Sequence, residues 1–253
     1  MKPITIAIAS IIAISFLALS GNAFFSNQEN LVQFGFSMQK IWNIVVFNFV
    51  HTGYSHLIAN LAMIIGAGLA LEAIVKKESY LAIFFGGAAI AAFLTVLIHP
   101  EYIIVGSSAG AVALLTASLA VNPKTAVKNI AVLFIVGNLL ILGANSFIEN
   151  QNQNISTEIQ QLEQEKITAQ EQGNTEQAIV VQQRIEQKNV EKEKIEKGIE
   201  TGKTPINFEV HFFAALFAAL YIFFFERSAF RKTVHNELAF LHKAIPKFNS
   251  NTK

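Results

Sequence analysis

Six runs of this chain are apolar and close to the 20 or so residues an α-helix needs to cross roughly 30 Å of hydrocarbon. They lie near Ile4–Phe25, Tyr54–Val75, Tyr80–Ile98, Ile104–Val121, Ile130–Phe147 and Phe208–Phe225. The runs are continuous rather than alternating. Backbone groups in lipid must pair within their own segment, so helices are expected and strands are not. Charge agrees with this reading: 15% of residues are charged, against about 25% in a soluble domain, and much of that charge gathers between residues 148 and 206. The expected fold class is all-α, a polytopic membrane bundle of six helices with one hydrophilic insert between the fifth and sixth spans.

The first run has a competing reading. Lys2, an apolar stretch and then Ser20-Gly21-Asn22-Ala23 have the outline of a secretory signal peptide. The stretch is longer than a signal core of about 7–15 residues, and as a span it completes an even number. Orientation follows from Lys and Arg. With the N-terminus inside, the cytoplasmic segments hold Lys2, Lys76, Lys77, Lys124, Lys128, Arg227, Arg231, Lys232, Lys243, Lys247 and Lys253, whereas the short outer loops hold only Lys40. Both termini are therefore expected in the cytoplasm. The division that follows is residues 1–147 for five spans, 148–206 for an external insert, 207–226 for the sixth span and 227–253 for a basic tail. That tail reads as an anchor on anionic lipid.

In the insert, Ile155, Ile159, Leu162 and Ala169 fall on three-four spacing, Gly173-Asn174 supplies a turn, and Val181, Ile185, Ile195 and Ile199 resume the spacing. The pattern predicts an antiparallel helical hairpin of coiled-coil type, the alternative being a solvated spacer. A hairpin there could recruit substrates or mediate self-association.

Function is sought where polar groups stand inside spans, because they are costly there. His51, His56 and Asn60 open the second span, Gly106-Ser107-Ser108-Ala109-Gly110 the fourth, and Asn207, Glu209 and His211 the sixth. All three spans run from outside to inside, which brings these groups to one depth. A serine hydroxyl becomes a nucleophile when a base takes its proton, and histidine is the usual base. Ser108 and His211 can form that pair. No aspartate stands near His211, so a dyad is more natural than a triad; Glu209, two residues away, points to another helix face. Ser108 at a helix start offers unpaired N–H groups, and His56 and Asn60, four apart, share one face and can add donors for an oxyanion. Gly106 and Gly110 permit a bend and close packing. The bland readings are a serine bonded to its own helix, glycines that serve helix packing, and histidines that bind a metal, for which no carboxylate–histidine motif is present. No metal and no cofactor is expected. A channel would spread its polar groups through the membrane depth, unlike these. A net charge of +1 without a basic stripe leaves no case for nucleic acid, and the absence of cysteine excludes thiolate chemistry.

At these residues the chain resembles the rhomboid family of intramembrane serine proteases, over about residues 40–121 and 207–225. His51, His56 and Asn60 are similar to its second-span signature, Leu71-Glu72 follows at the usual distance, Gly106-Ser107-Ser108 resembles its nucleophile motif, His211 its sixth-span histidine, and Trp42 part of its first outer loop. The resemblance implies a serine endopeptidase with Ser108 as nucleophile and His211 as base. It implies His56, Asn60 and the Ser108 N–H at the oxyanion, with His51, Trp42, Glu72, Gly106 and Gly110 as structural support. The implied partners are the lipid bilayer and membrane-spanning protein substrates, cut near the outer face. The implied place is the bacterial cytoplasmic (inner) membrane. Asn43 departs from the family arginine after Trp42 and is expected to loosen the outer loop. Ala109, Val112, Val210, Ala214 and Ala218 also depart, in ways that bear on rate and specificity. The alternative is a catalytically inactive relative that binds membrane clients.

Overall fold

The computed structural model describes residues 4–20, 24–202 and 208–244. Lys2, Gly21, Asn22, Ala23, Asn207, Lys247, Lys253 and the side chains of Ile199 and Lys243 lie outside the described residues. The helices in chain order are α1 (Ile4–Leu19), α2 (Gln28–Phe34), α3 (Tyr54–Glu72), α4 (Lys77–Leu81), α5 (Gly87–Ile98), α6 (Ser108–Val121), α7 (Pro123–Glu171), α8 (Thr175–Gly202), α9 (Phe208–Phe225) and α10 (Arg227–Ala244). Two 3₁₀ turns, Ile41–Ile44 and Val46–Phe49, precede α3, and a π-helical turn, Ala82–Gly86, fuses α4 and α5 into one helix. Among the described residues there is no strand, only isolated bridges such as Phe36 with Ile104.

Among the described residues, four helices are long and apolar enough to cross a membrane: Tyr54–Glu72, Lys77–Ile98, Pro123–Glu171 and Phe208–Phe225. The first and fourth expected spans come out shorter, at 16 and 14 residues. Their ends differ from the hydropathy reading for tertiary reasons. Phe25 is drawn into a bridge with Gly53. Ile104 exchanges backbone hydrogen bonds of 2.8 Å with Phe36, and Gly106 turns the chain with a φ of +98°. Helix α6 therefore starts at Ser108 rather than Ile104.

Helix α6 is the hub. It packs against α3, α5, α7, α9 and α10, and Ala109, Ala111, Ala113, Leu114 and Ala117 are all buried. Small side chains on most faces let neighbouring backbones approach, which is how helices associate without a hydrophobic driving force. Helix α9 buries only Val210, Ala214, Ala218 and Ile222, an i, i+4 stripe. Phe212, Leu216, Leu220 and Phe224 point outward. Helix α3 meets α7 closely, since a Cβ on Gly66 would stand 3.2 Å from the Ile130 backbone. The start of α1 is fixed from below. The Glu72 carboxylate, buried at the end of α3, accepts the Ile4 N–H and Thr5 N–H (3.1 Å each) and the Thr5 hydroxyl (2.6 Å). An acidic group at a helix N-terminus is stabilising there because the N–H groups are otherwise unpaired.

The insert is not a separate object on its entry side. Helix α7 runs unbroken for 49 residues from Pro123 through the fifth apolar run and into the insert. Gly173, with a φ of +72°, makes the turn into α8. Ile155, Ile159, Leu162, Val181 and Ile185 form a small core between the two arms, and Lys188 bridges to Glu158 at 2.9 Å. That hydrogen bond raises the Lys188 pKa.

Candidate active site

The site is built around the turn into α6. The Gly106 N–H donates to the Phe47 carbonyl at 2.9 Å, and its positive φ favours glycine. Space demands glycine as well: a Cβ there would stand 2.6 Å from His56 Cε1, 2.9 Å from His56 Nε2 and 3.6 Å from Asn60 Nδ2. His56 and Asn60, one turn apart on α3, thus press against the residue two before Ser108. Thr52 Oγ1 lies 3.2 Å from His56 Nδ1, which leaves the Nε2 edge turned to Gly106.

His51 holds the next residue. Its Nε2 is 3.1 Å from the Ser107 hydroxyl and accepts the Ser107 N–H at 3.4 Å. Accepting that N–H requires an unprotonated Nε2. Its ring meets His56 edge-on at 5.1 Å between centroids. Because the Ser107 side chain is spent on His51, it does not cap α6, and the first N–H groups of that helix, Ser108's included, have no partner within it. Gly110 serves a different need. The Phe84 ring, from the π-helical turn, lies 2.6 Å from where a Gly110 Cβ would be.

Ser108 is half-buried at the first position of α6 and His211 half-buried near the start of α9. Helices α6 and α9 pack directly. Ser108, His56, Asn60 and His211 thus stand at the N-terminal ends of α6, α3 and α9. The expected Ser108–His211 hydrogen bond is not made. His211 Nε2 is buried and bonded to nothing, and so is Asn60 Nδ2. A buried donor or acceptor left unpaired costs about 1–3 kcal/mol, so two of them at one site leave bonding capacity for a ligand or water.

The remaining candidates are placed as follows. Glu209 faces away from His211 and meets His99 at the end of α5, Oε1 to Nε2 3.1 Å. His99 carried no signal in the sequence reading, and neither did Thr52, which precedes α3 and reaches His56 from outside the helix. Trp42 is 70% exposed on the first 3₁₀ turn. Asn43 does not loosen that loop: its buried amide donates to the Gln33 carbonyl (2.9 Å) and the Gly35 carbonyl (3.0 Å), tying the turn to the end of α2. Ala109, Val210, Ala214 and Ala218 are buried, and Val112 packs half-buried against the core. Glu72 lies at the far end of α3 from the site.

Comparison with known proteins gives one family. Residues 38–156 match the family model described as Rhomboid domain. No curated protein and no solved structure matches significantly.

Proposed function

The chain carries a rhomboid domain and belongs to that family, with apolar helices of membrane-crossing length, and from that premise we propose that this integral membrane protein is an intramembrane serine endopeptidase. Ser108 Oγ attacks the scissile carbonyl while His211 Nε2 takes its proton and passes it to the leaving amine. The developing oxyanion receives the Ser108 N–H, Asn60 Nδ2 and His56 Nε2. With Thr52 donating its hydroxyl to His56 Nδ1, the Nε2 proton is the one aimed inward. Water then attacks the acyl-enzyme, and His211 acts again as base.

The observation that carries this reading is the pair of buried, unbonded atoms, Asn60 Nδ2 and His211 Nε2, beside an uncapped helix start. Helix length supports it. Fourteen residues of α6 span about 21 Å, less than the roughly 30 Å of hydrocarbon, so its Ser108 end is recessed if its other end reaches the opposite face. A recess open to water is what hydrolysis within a membrane needs. We assign six crossings with both termini cytoplasmic, in the bacterial inner membrane, from the Lys and Arg asymmetry and the family. The substrates are membrane-spanning proteins cut near the outer face, with helix-breaking residues and a small residue before the cut. The insert, residues 148–206, is assigned as a coiled-coil hairpin that recruits substrates or joins two copies.

A fluorophosphonate probe tests the chemistry. Labelling that disappears in Ser108→Ala and His211→Ala, together with cleavage of a panel of single-span substrates, is expected. The unmade Ser108–His211 bond is what a second reading, a non-catalytic protein that binds membrane clients, would rest on. Client capture without labelling or cleavage would establish it. Catalytic hydrogen bonds often tighten only when substrate is bound, and the protease reading expects this pair to close then.

A further inference from the structure

Helix α9 carries two carboxylates at its ends, and both reach the same neighbour. At the start, Glu209 Oε1 lies 3.1 Å from His99 Nε2, just past α5. At the finish, the Ser79 hydroxyl of α4 donates to Glu226 Oε1 at 2.6 Å. His99 is itself braced: Glu101 stands 3.5 Å from its Nδ1, and the Tyr102 ring stacks on it at 4.6 Å. Between these two contacts the helices meet through small residues and one ring. Phe217 lies over Gly86 and Gly87, where added Cβ atoms would meet its ring at 3.2 and 3.4 Å, and the α9 stripe toward the bundle contains Ala214 and Ala218.

Glycine and alanine surfaces offer few knobs to stop one helix sliding along another, and lipid supplies no hydrophobic force to seat them. We infer that Glu209 and Glu226 are positioning residues, a pair of polar clamps that fix the axial register of α9 on the Lys77–Ile98 helix and thereby the depth at which His211 meets Ser108. A slip of one residue moves His211 by about 1.5 Å, and displacements near 1 Å at a reacting pair can cost about a hundredfold in rate. The inference rests on the protease reading above for its catalytic consequence, but not for the register itself.

The test uses the full chain in detergent and in liposomes. Glu209→Ala and Glu226→Ala are each expected to lower kcat about 10- to 100-fold with KM changed less than about twofold. Glu209→Gln and Glu226→Gln, which can still accept from His99 and Ser79, should recover most of the loss. His99→Ala combined with Glu209→Ala should be no worse than either alone, because the two share one contact. The chain has no cysteine, so a nitroxide on Phe212→Cys reports the depth of α9 without interference. That depth should shift in the Glu209→Ala, Glu226→Ala double variant. An unmoved nitroxide, an effect on KM alone, or glutamine variants as impaired as alanine ones overturns the clamp. If the parent chain cleaves nothing, the protease reading falls while the nitroxide still decides the register.

Discussion

At position 106 a single methyl group is enough to disturb the site, because the backbone there has a φ of +98° and His56 Cε1 occupies the space 2.6 Å from a would-be Cβ. Gly106→Ala is expected to displace His56 and the Ser108 turn together, so that fluorophosphonate labelling of Ser108 falls at least about tenfold, in line with strain of order 1–3 kcal/mol. Normal labelling would show that the loop adapts. Asn60→Ala removes one donor while leaving Ser108 and His211 in place. Its effect should fall on kcat by about 10²–10³-fold, the usual cost of one oxyanion donor, with KM little changed. At this scale the sequence was informative where spacing along one helix decides the outcome: His56 and Asn60, four apart, do face one point. It was silent where the partner comes from another helix. Glu209 finds His99 110 residues away, and no pattern near either residue announces that contact. Asn43 shows the same limit. Read against a family arginine it suggested a loose loop, yet its amide reaches two carbonyls that the sequence could not place nearby.

Among the elements, existence was legible and ends were not. Hydropathy alone extends the first and fourth runs through Phe25 and Ile104, since both are apolar. Each instead takes part in a bridge outside its helix, and only tertiary pairing determines that. Helix α7 was misread in the opposite sense. No glycine or proline stands between Ser146 and Gln172, so nothing stops the helix where the apolar run gives way to polar residues. The contact that anchors α1 is open to measurement. The Glu72 carboxylate takes three hydrogen bonds from the first turn of that helix while buried at 6% exposure. Hydrogen bonds to a charged group contribute about 1.5–3 kcal/mol. Glu72→Ala should therefore destabilise the bundle by about 2–4 kcal/mol in a detergent unfolding assay, and Glu72→Gln by less. A Glu72→Ala protein as stable as the parent would mean that α1 is held by apolar packing alone.

For the molecule as a whole, the unbroken α7 joins the buried bundle to the hairpin. Its 49 residues measure about 74 Å, more than twice the thickness of the hydrocarbon, so roughly half must project beyond it. The hairpin at its far end has a thin core, and Ile167, Ile179, Val180 and Val190 remain exposed on it. We propose that this surface meets a protein substrate or a second copy of the chain. Replacing Asn150–Gly202 with a short linker is thus expected to leave fluorophosphonate labelling of Ser108 intact, because none of the residues around Gly106 lies in the hairpin. Cleavage of full-length membrane substrates should weaken, chiefly through KM, or the detergent-solubilised assembly should become smaller. If both the cleavage rate and the assembly size are unchanged, the hairpin is a spacer, and recognition must reside in the bundle itself.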